Sequence, residues 1–385
     1  MNVMRHLLLI IAFLSTSLAF SQTEINGINY FLDATDNTAS VTSKIECYSG
    51  EITIPETVTY DDTTYTITSI GGNAFFNCAS LTAITLPNTL TSIEGNAFSD
   101  CSSLSSITLP NSVTSIAGYA FYDCPSLTSI TLPNSITSIG DAAFGYCTSL
   151  TSVTLPNSIT SIGAGTFSGC SSLTSINLPN SITSIGNSAF DGTSLPSITL
   201  PNSLTSIGLG AFYNCTALTS ITLPNTLTSI GDYAFGLCTA LTSVTALNPT
   251  PVAINSINAD VFLDVPITTI PLYVADEAAV TAYQATAVWQ DFNSVTAITT
   301  SIEDSEFANK IVVYPNPFSD FITFDLPTIQ GQILLELFDN QGRLIFYKII
   351  QNGEKLDMSF LDNGTYIYNL IDEENTKMVG RLIKK

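Results

Sequence analysis

Cys78, Cys101, Cys124, Cys147 and Cys170 follow one another at 23-residue intervals, and Cys215 and Cys238 resume the interval after a gap near Thr193. Thiols in such a row could oxidise to disulfides or hold a metal. Equivalent positions in stacked coils lie ~4.8 Å apart, within the Cα range of a disulfide, but parallel Cβ vectors leave the Cβ atoms farther apart than a disulfide tolerates. Metal sites need convergent ligands in short-spaced pairs, which one Cys every 23 residues does not supply. The row is therefore expected to be a ladder of small buried thiols, a role Cys fills well. Cys47 lies off the beat and has no assignment.

Other reactive groups are scarce. The only histidine is His6, and no Lys or Arg occurs between Lys44 and Lys310. Histidine is the commonest acid–base catalyst, and cationic side chains stabilise oxyanions and phosphates. Paired carboxylates could serve glycoside chemistry, yet Asp123, Asp141 and Asp232 fall in turns spread along the chain. Phosphate loops, zinc-protease motifs and nucleophile elbows are missing. These observations argue against an enzyme and imply no cofactor and no metal. A net charge of -22 with no basic footprint over residues 45–309 also argues against a nucleic-acid partner and an anionic membrane surface.

The elements that carry the thiols are repeats. Leu-Pro-Asn begins at Leu86, Leu109, Leu132, Leu155, Leu178, Leu200 and Leu223, in steps of 23 residues with one step of 22. The unit reads L-x-x-I-x-L-P-x-x-I-x-x-I-x-x-x-A-F-x-x-C. Its first part alternates with period two and is rich in β-branched residues, as a short strand requires. Pro-Asn turns the chain, and a second extended piece brings apolar groups back inside. One such coil cannot bury its own apolar edge, so the copies must stack into a solenoid. About eight coils span ~40 Å at the parallel-strand spacing.

Period two points the neighbours of each central Ile or Val outward. Stacking then writes two columns on the strand face. One holds Ala83, Ser106, Ser129, Ser152, Ser175, Ser197, Ser220 and Ser243; the other holds Thr85, Thr108, Thr131, Thr154, Asn177, Thr199, Thr222 and Thr245. Residues 106–222 of this neutral, hydroxyl-rich face are the candidate binding surface.

The repeat resembles the BspA-like class of leucine-rich repeats over roughly residues 67–250. That resemblance implies a curved parallel-β solenoid, in a mostly β chain, with a binding-type role. Residues 22–66 depart from the repeat and read as an N-terminal β cap, with strands around the polar turn 33–40 and extended pieces at 52–55 and 65–70. Residues 251–298 read as a degenerate repeat and helical cap. Asp276 can cap a helix through 290, with Glu277 in its first turn, and with Val280, Tyr283, Ala287 and the lone Trp289 turned toward the open end of the stack.

The two ends of the chain carry addresses. Arg5 and His6, the apolar run 7–14 (LLLIIAFL) and Ala19-Phe20-Ser21 fit a secretory signal cleaved before Gln22, so residues 1–21 are assigned to it. No other stretch is long and apolar enough for a transmembrane helix. Residues 299–309 read as a polar linker. Beyond it, seven alternating strands are expected at 311–314, 321–325, 333–338, 344–350, 355–358, 365–371 and 378–384, which favours a small Ig-like β-sandwich over 310–385. The segments "VYPNPFSD" (313–320), "LFDNQGRLI" (337–345), "LDNGTYIYNL" (361–370) and the terminal "GRLIKK" resemble the type A sorting domain of the type IX secretion system. By that resemblance Tyr314, Pro315, Asn316 and Pro317 match its first motif. Gly342 and Arg343, then Gly364, Thr365 and Tyr366, match the middle ones, and Lys384 and Lys385 match its basic end. The resemblance implies export by the type IX machinery, removal of the domain and display on the outer face of the cell. The expected function is a secreted or cell-surface module that recognises or adheres to a protein or glycan; a passive envelope spacer is the alternative.

Overall fold

The computed structural model of the chain describes residues 22–255, 260–298, 312–326, 333–339, 344–371 and 377–385. The signal segment 1–21 and the linker 299–309 lie outside the described residues.

Residues 127–149 show how one coil forms. The strand Ser129–Thr131 buries Ile130 and exposes both neighbours. The backbone N–H of Ile136 donates to the Pro133 carbonyl at 3.1 Å and closes the Pro-Asn turn. The two-residue strand Ser138–Ile139 follows. Gly140 then comes so near the preceding coil that a Cβ there would lie 2.3 Å from the Gly118 nitrogen, so no side chain fits. The third side is a run of turns laddered to the next coil: Ala142 N–H donates to the Ala164 carbonyl at 2.7 Å and Phe144 N–H to Thr166 at 3.0 Å. Each side of the coil thus meets its backbone hydrogen bonds in the neighbouring copies, which is why a single copy cannot stand alone.

The strand face is not continuous. Ser106–Thr108, Ser129–Thr131, Ser152–Thr154 and Ser175–Asn177 form one parallel four-stranded sheet. Ser220–Leu223, Ser243–Ala246, Pro271–Val274 and Ser294–Ala297 form a second. Between them residues 197–200 have no strand. Two features of the short repeat explain the break. The segment from Thr193 to Leu195 is one residue shorter than its counterparts. Pro196 also stands where the other copies have Thr or Ser, so it has no N–H to donate. The equivalent Thr174 N–H reaches the Thr151 carbonyl at 3.1 Å.

Inside, a spine of stacked Phe rings runs from Phe75 through Phe98, Phe121, Phe144, Phe167, Phe190, Phe212 and Phe235 to Phe262, with centroids 5.0–5.7 Å apart. Stacked pairs of this kind contribute ~0.5–1.5 kcal/mol beyond their buried area. Tyr48 tilts onto Phe75 at one end, and Trp289 meets Phe262 edge-on at 5.9 Å at the other. Trp289 is fully buried, so its role is to close the stack.

The cap helix is shorter than its sequence suggests. It spans Glu277–Gln284 with Asp276 accepting from the Ala279 N–H at 2.8 Å. Val288 then takes a positive φ of 71°, and Trp289–Asp291 form a separate short turn. Ala279 and Tyr283 face inward, whereas Ala287 is exposed.

The N-terminal segment holds antiparallel strands at Gln22–Ile25, Ile28–Asp33 and Thr38–Val41, the last of which pairs in parallel with Thr63–Ile70. Cys78 corrects the reading of seven equivalent free thiols, because it forms a disulfide with Cys47. It is the first cysteine on the beat, so it has no earlier repeat to pack against. The cap supplies its partner instead.

The C-terminal unit is antiparallel. Val312–Tyr314, Phe321–Asp325 and Lys355–Asp357 form one sheet; Leu344–Ile350, Ile333–Phe338, Gly364–Ile371 and Lys377–Lys384 form the other. Ile322, Phe324, Leu335, Leu337, Leu356 and Leu370 make its core. Gly380 lets the Tyr368 ring lie over the last strand, since a Cβ there would come within 2.3 Å of it.

Candidate functional site: the strand face and the sorting segment

On the strand face, Ser106, Thr108, Ser129, Thr131, Ser152, Thr154, Ser175 and Asn177 are all exposed and in register. Ser220 and Thr222 are exposed on the second sheet, and Ser197 and Thr199 are exposed at the break, outside any strand. Between Ser106 and Thr222 the columns are therefore interrupted at one rank.

Many hydroxyls elsewhere on the coil are engaged. Thr114 Oγ1 donates to the Thr91 carbonyl at 3.2 Å, Ser135 Oγ to Val113 at 2.6 Å, Thr151 Oγ1 to Thr128 at 3.4 Å and Thr228 Oγ1 to Thr205 at 2.9 Å. These side chains stitch each coil to the one before it. Among the described residues, the side chains of the column Ser, Thr and Asn make no such bond. The column hydroxyls are free to meet another molecule, as are those of Ser138 and Ser161 on the second, two-residue strands.

The break creates a feature that the columns did not reveal. A cavity of about 170 Å3 opens there, with Asn157, Asn177, Asn180, Thr199 and Asn202 in its lining. A shallower one of about 90 Å3 adjoins it, lined in part by Thr199, Asn202 and Thr222. Asn157, Asn180 and Asn202 belong to the Leu-Pro-Asn turns, which sequence reasoning treated only as corners. The single 22-residue step was the signal that pointed to this rank.

The buried thiols are satisfied rather than reactive. Each donates to the carbonyl of the Phe one coil earlier: Cys101 to Phe75, Cys124 to Phe98, Cys147 to Phe121, Cys170 to Phe144, Cys215 to Phe190 and Cys238 to Phe212, all at 3.1 Å. Burial pushes the Cys101 and Cys170 thiols up to about 12, far from the thiolate a nucleophile needs. At the short repeat Thr193 replaces the cysteine and donates to its own coil's Phe190 carbonyl at 2.9 Å. Among the described residues no group of three or more His, Cys, Asp or Glu could hold a metal ion.

The sorting-motif residues divide by role. Asn316 Nδ2 donates to the Arg381 carbonyl at 2.8 Å, and its Oδ1 accepts from the Ile383 N–H at 2.9 Å, so the first motif clasps the last strand. Lys384 is buried and its Nζ donates to the carbonyls of Met358 at 2.9 Å and Ser359 at 3.1 Å. Tyr366 Oη donates to the Asp362 carbonyl at 2.6 Å, and Gly364 opens the strand Gly364–Ile371. Tyr314, Pro315, Pro317 and Lys385 face solvent. Gly342 and Arg343 lie outside the described residues.

Comparison with known proteins fits this division. Residues 68–192 and 160–277, together more than half of the chain, match the BspA type leucine rich repeat region in six copies. Residues 312–385 match the secretion system C-terminal sorting domain. A leucine rich cell surface protein of Faecalibacterium prausnitzii is similar at 26% identity and a TM-score of 0.51, over 72% of this chain and 95% of that one. A T. pallidum leucine rich repeat protein is 30% identical over 51% of this chain and 91% of its own, with a TM-score of 0.46. A Bacteroides ovatus leucine-rich repeat protein is 28% identical over 67% and 80%, with a TM-score of 0.41. No curated protein matches the chain. No helix among the described residues is long and apolar enough to cross a membrane. With its stacked 23-residue coils and its clasped C-terminal unit, the chain belongs to the BspA type leucine-rich repeat family and ends in a secretion sorting domain.

Proposed function

We propose that the protein is exported through residues 310–385 by the type IX secretion machinery and acts outside the cell as a recognition or adhesion module. The partner is a protein or glycan that lies across the strand face of the solenoid. The observation that carries this reading is the division of labour among the hydroxyls. Many neighbouring Ser and Thr are engaged in stitching coils together, whereas throughout the outward columns from Ser106 to Thr222 the side chains carry unpaired donors and acceptors. Such a neutral face offers hydrogen bonds without the desolvation cost of burying charge, and the amide-lined break at Asn177, Asn180 and Asn202 adds a place where a partner group can enter.

The test uses the purified protein on arrays of glycans and extracellular matrix proteins. Saturable binding to one class of ligand supports the reading. Binding no stronger than that of an unrelated acidic protein to every spot contradicts it.

A further inference from the structure

The turn side of the coil, away from the Ser/Thr columns, carries residues that are costly to place there. Two positions before each spine Phe, the backbone takes a positive φ in coil after coil: Asn73, Asn96, Tyr119, Ala142, Gly165, Ser188, Gly210 and Tyr233, at 51–62°. Gly and Asn suit this conformation and bulky side chains do not. Tyr233 nevertheless stands beside Gly210, its equivalent one coil earlier. Its ring and that of Tyr213 meet at 84° with centroids 6.5 Å apart.

These rings flank a cavity of about 350 Å3 whose walls also include Leu209, Leu263 and Asp191. Asp191 is half-buried, and among the described residues its carboxylate has neither a hydrogen bond nor an ion pair. Burial alone raises its pKa. A nearby cation would favour the charged form of this partly desolvated carboxylate, and residues 45–309 contain no Lys or Arg to provide one. The solenoid leaves that place open to a cation from another molecule. The field of an all-acidic array favours its approach.

We propose that this cavity binds a primary alkylammonium group, the lysine side chain of a partner protein. The butyl stem packs on Leu209 and Leu263, the ammonium pairs with the Asp191 carboxylate, and the faces of Tyr213 and Tyr233 add cation–π attraction. An anion would face the Asp191 carboxylate with no cationic side chain in the lining to hold it. A calcium ion would need several more oxygen ligands than one carboxylate supplies. This site is independent of the strand face, and either can fail without the other.

The test is ligand-observed NMR on the purified secreted protein, with an Nα-acetylated, C-terminally amidated lysine as probe and its Nε-acetylated form as the neutral control. The charged probe is expected to bind saturably with a dissociation constant of about 1–10 mM, a reasonable scale for so small a ligand. The neutral form is expected to bind at least tenfold more weakly. Asp191→Asn should weaken the charged probe at least tenfold. Tyr233→Asn should weaken it at least threefold while raising the urea midpoint, because Asn relieves the backbone conformation; this variant separates lost binding from lost folding. Equal binding of the two probes, equal binding by Asp191→Asn, or no saturable binding of the charged probe overturns the proposal.

Discussion

The thiol of Cys124 donates to the backbone carbonyl of Phe98 at 3.1 Å, across 26 residues of chain. The same bond recurs up the stack. Cysteine here is more than a small apolar filler, because its thiol adds a second donor to a buried carbonyl that already accepts from the Cys101 N–H at 3.3 Å. Cys147→Ala should therefore lose both packing and a hydrogen bond, at a cost of about 1–3 kcal/mol. Urea denaturation of the variant measures it; a cost under ~0.5 kcal/mol would show that the bond contributes nothing.

The thiols also set an alkaline limit on stability. Cys101 and Cys170 have folded pKa values of about 12 against an ordinary value of 9.0, because burial disfavours the thiolate. The sign follows from linkage: the unfolded chain releases these protons first, so their contribution is intact below pH 9 and is lost progressively as the pH rises toward 12. The expected result is a falling urea midpoint across that window. A chromogenic disulfide reagent at pH 8 should leave the six free cysteines unmodified until the protein is denatured. Rapid labelling of the native protein would contradict the buried ladder.

Hydroxyl role should separate by position. Ser135→Ala removes a 2.6 Å bond to the Val113 carbonyl and should cost about 0.5–1.5 kcal/mol. Ser129→Ala, six residues earlier on the exposed column, should change stability by less than ~0.5 kcal/mol. Paired unfolding curves decide this, and equal effects would erase the distinction on which the strand-face reading rests.

The Cys47–Cys78 disulfide closes a 31-residue separation between the N-terminal segment and the first repeat. Chain-entropy reasoning assigns such a loop about 3.7 kcal/mol. The double variant Cys47→Ala/Cys78→Ala should lose roughly 2–4 kcal/mol. Hydrogen exchange should accelerate first in Gly50–Thr53, whose partner strand is Leu81–Thr85.

Much of this architecture is visible in the sequence. The period of the Leu-Pro-Asn and Phe positions leads directly to stacked coils, because one copy leaves its backbone and apolar edge unmet. The C-terminal strands fall within a residue of their expected bounds, since alternation such as Ile333–Phe338 is clean. What escaped notice depends on neighbours in space. The role of Cys78 turned on its place at the end of the ladder, and its partner Cys47 shares no spacing with it. The helix expected to reach residue 290 stops at Gln284, while Val288 turns to a positive φ and seats Trp289 over the spine. The break in the strand face came from one missing residue and one proline, and only the stacked coils show that these open a cavity among asparagines.

In the sorting unit, motif residues that share a segment have different work. Lys384→Ala removes two bonds from a buried ammonium to Met358 and Ser359 and should destabilise the unit by about 3 kcal/mol or more. Lys385→Ala alters an exposed side chain and should leave stability within ~0.5 kcal/mol. Thermal unfolding of the two variants measures the difference; the reverse order would contradict the clasp.

The most direct test of the central claim sets the strand face against the rest of the surface. Once a ligand is found, its affinity is measured by calorimetry for the wild type, for the column variant Ser129→Arg/Ser152→Arg, and for Tyr233→Asn on the turn side. A strand-face recognition module predicts at least a tenfold loss in the column variant and no change in Tyr233→Asn. Unchanged binding by the column variant, with its fold intact, would contradict the claim.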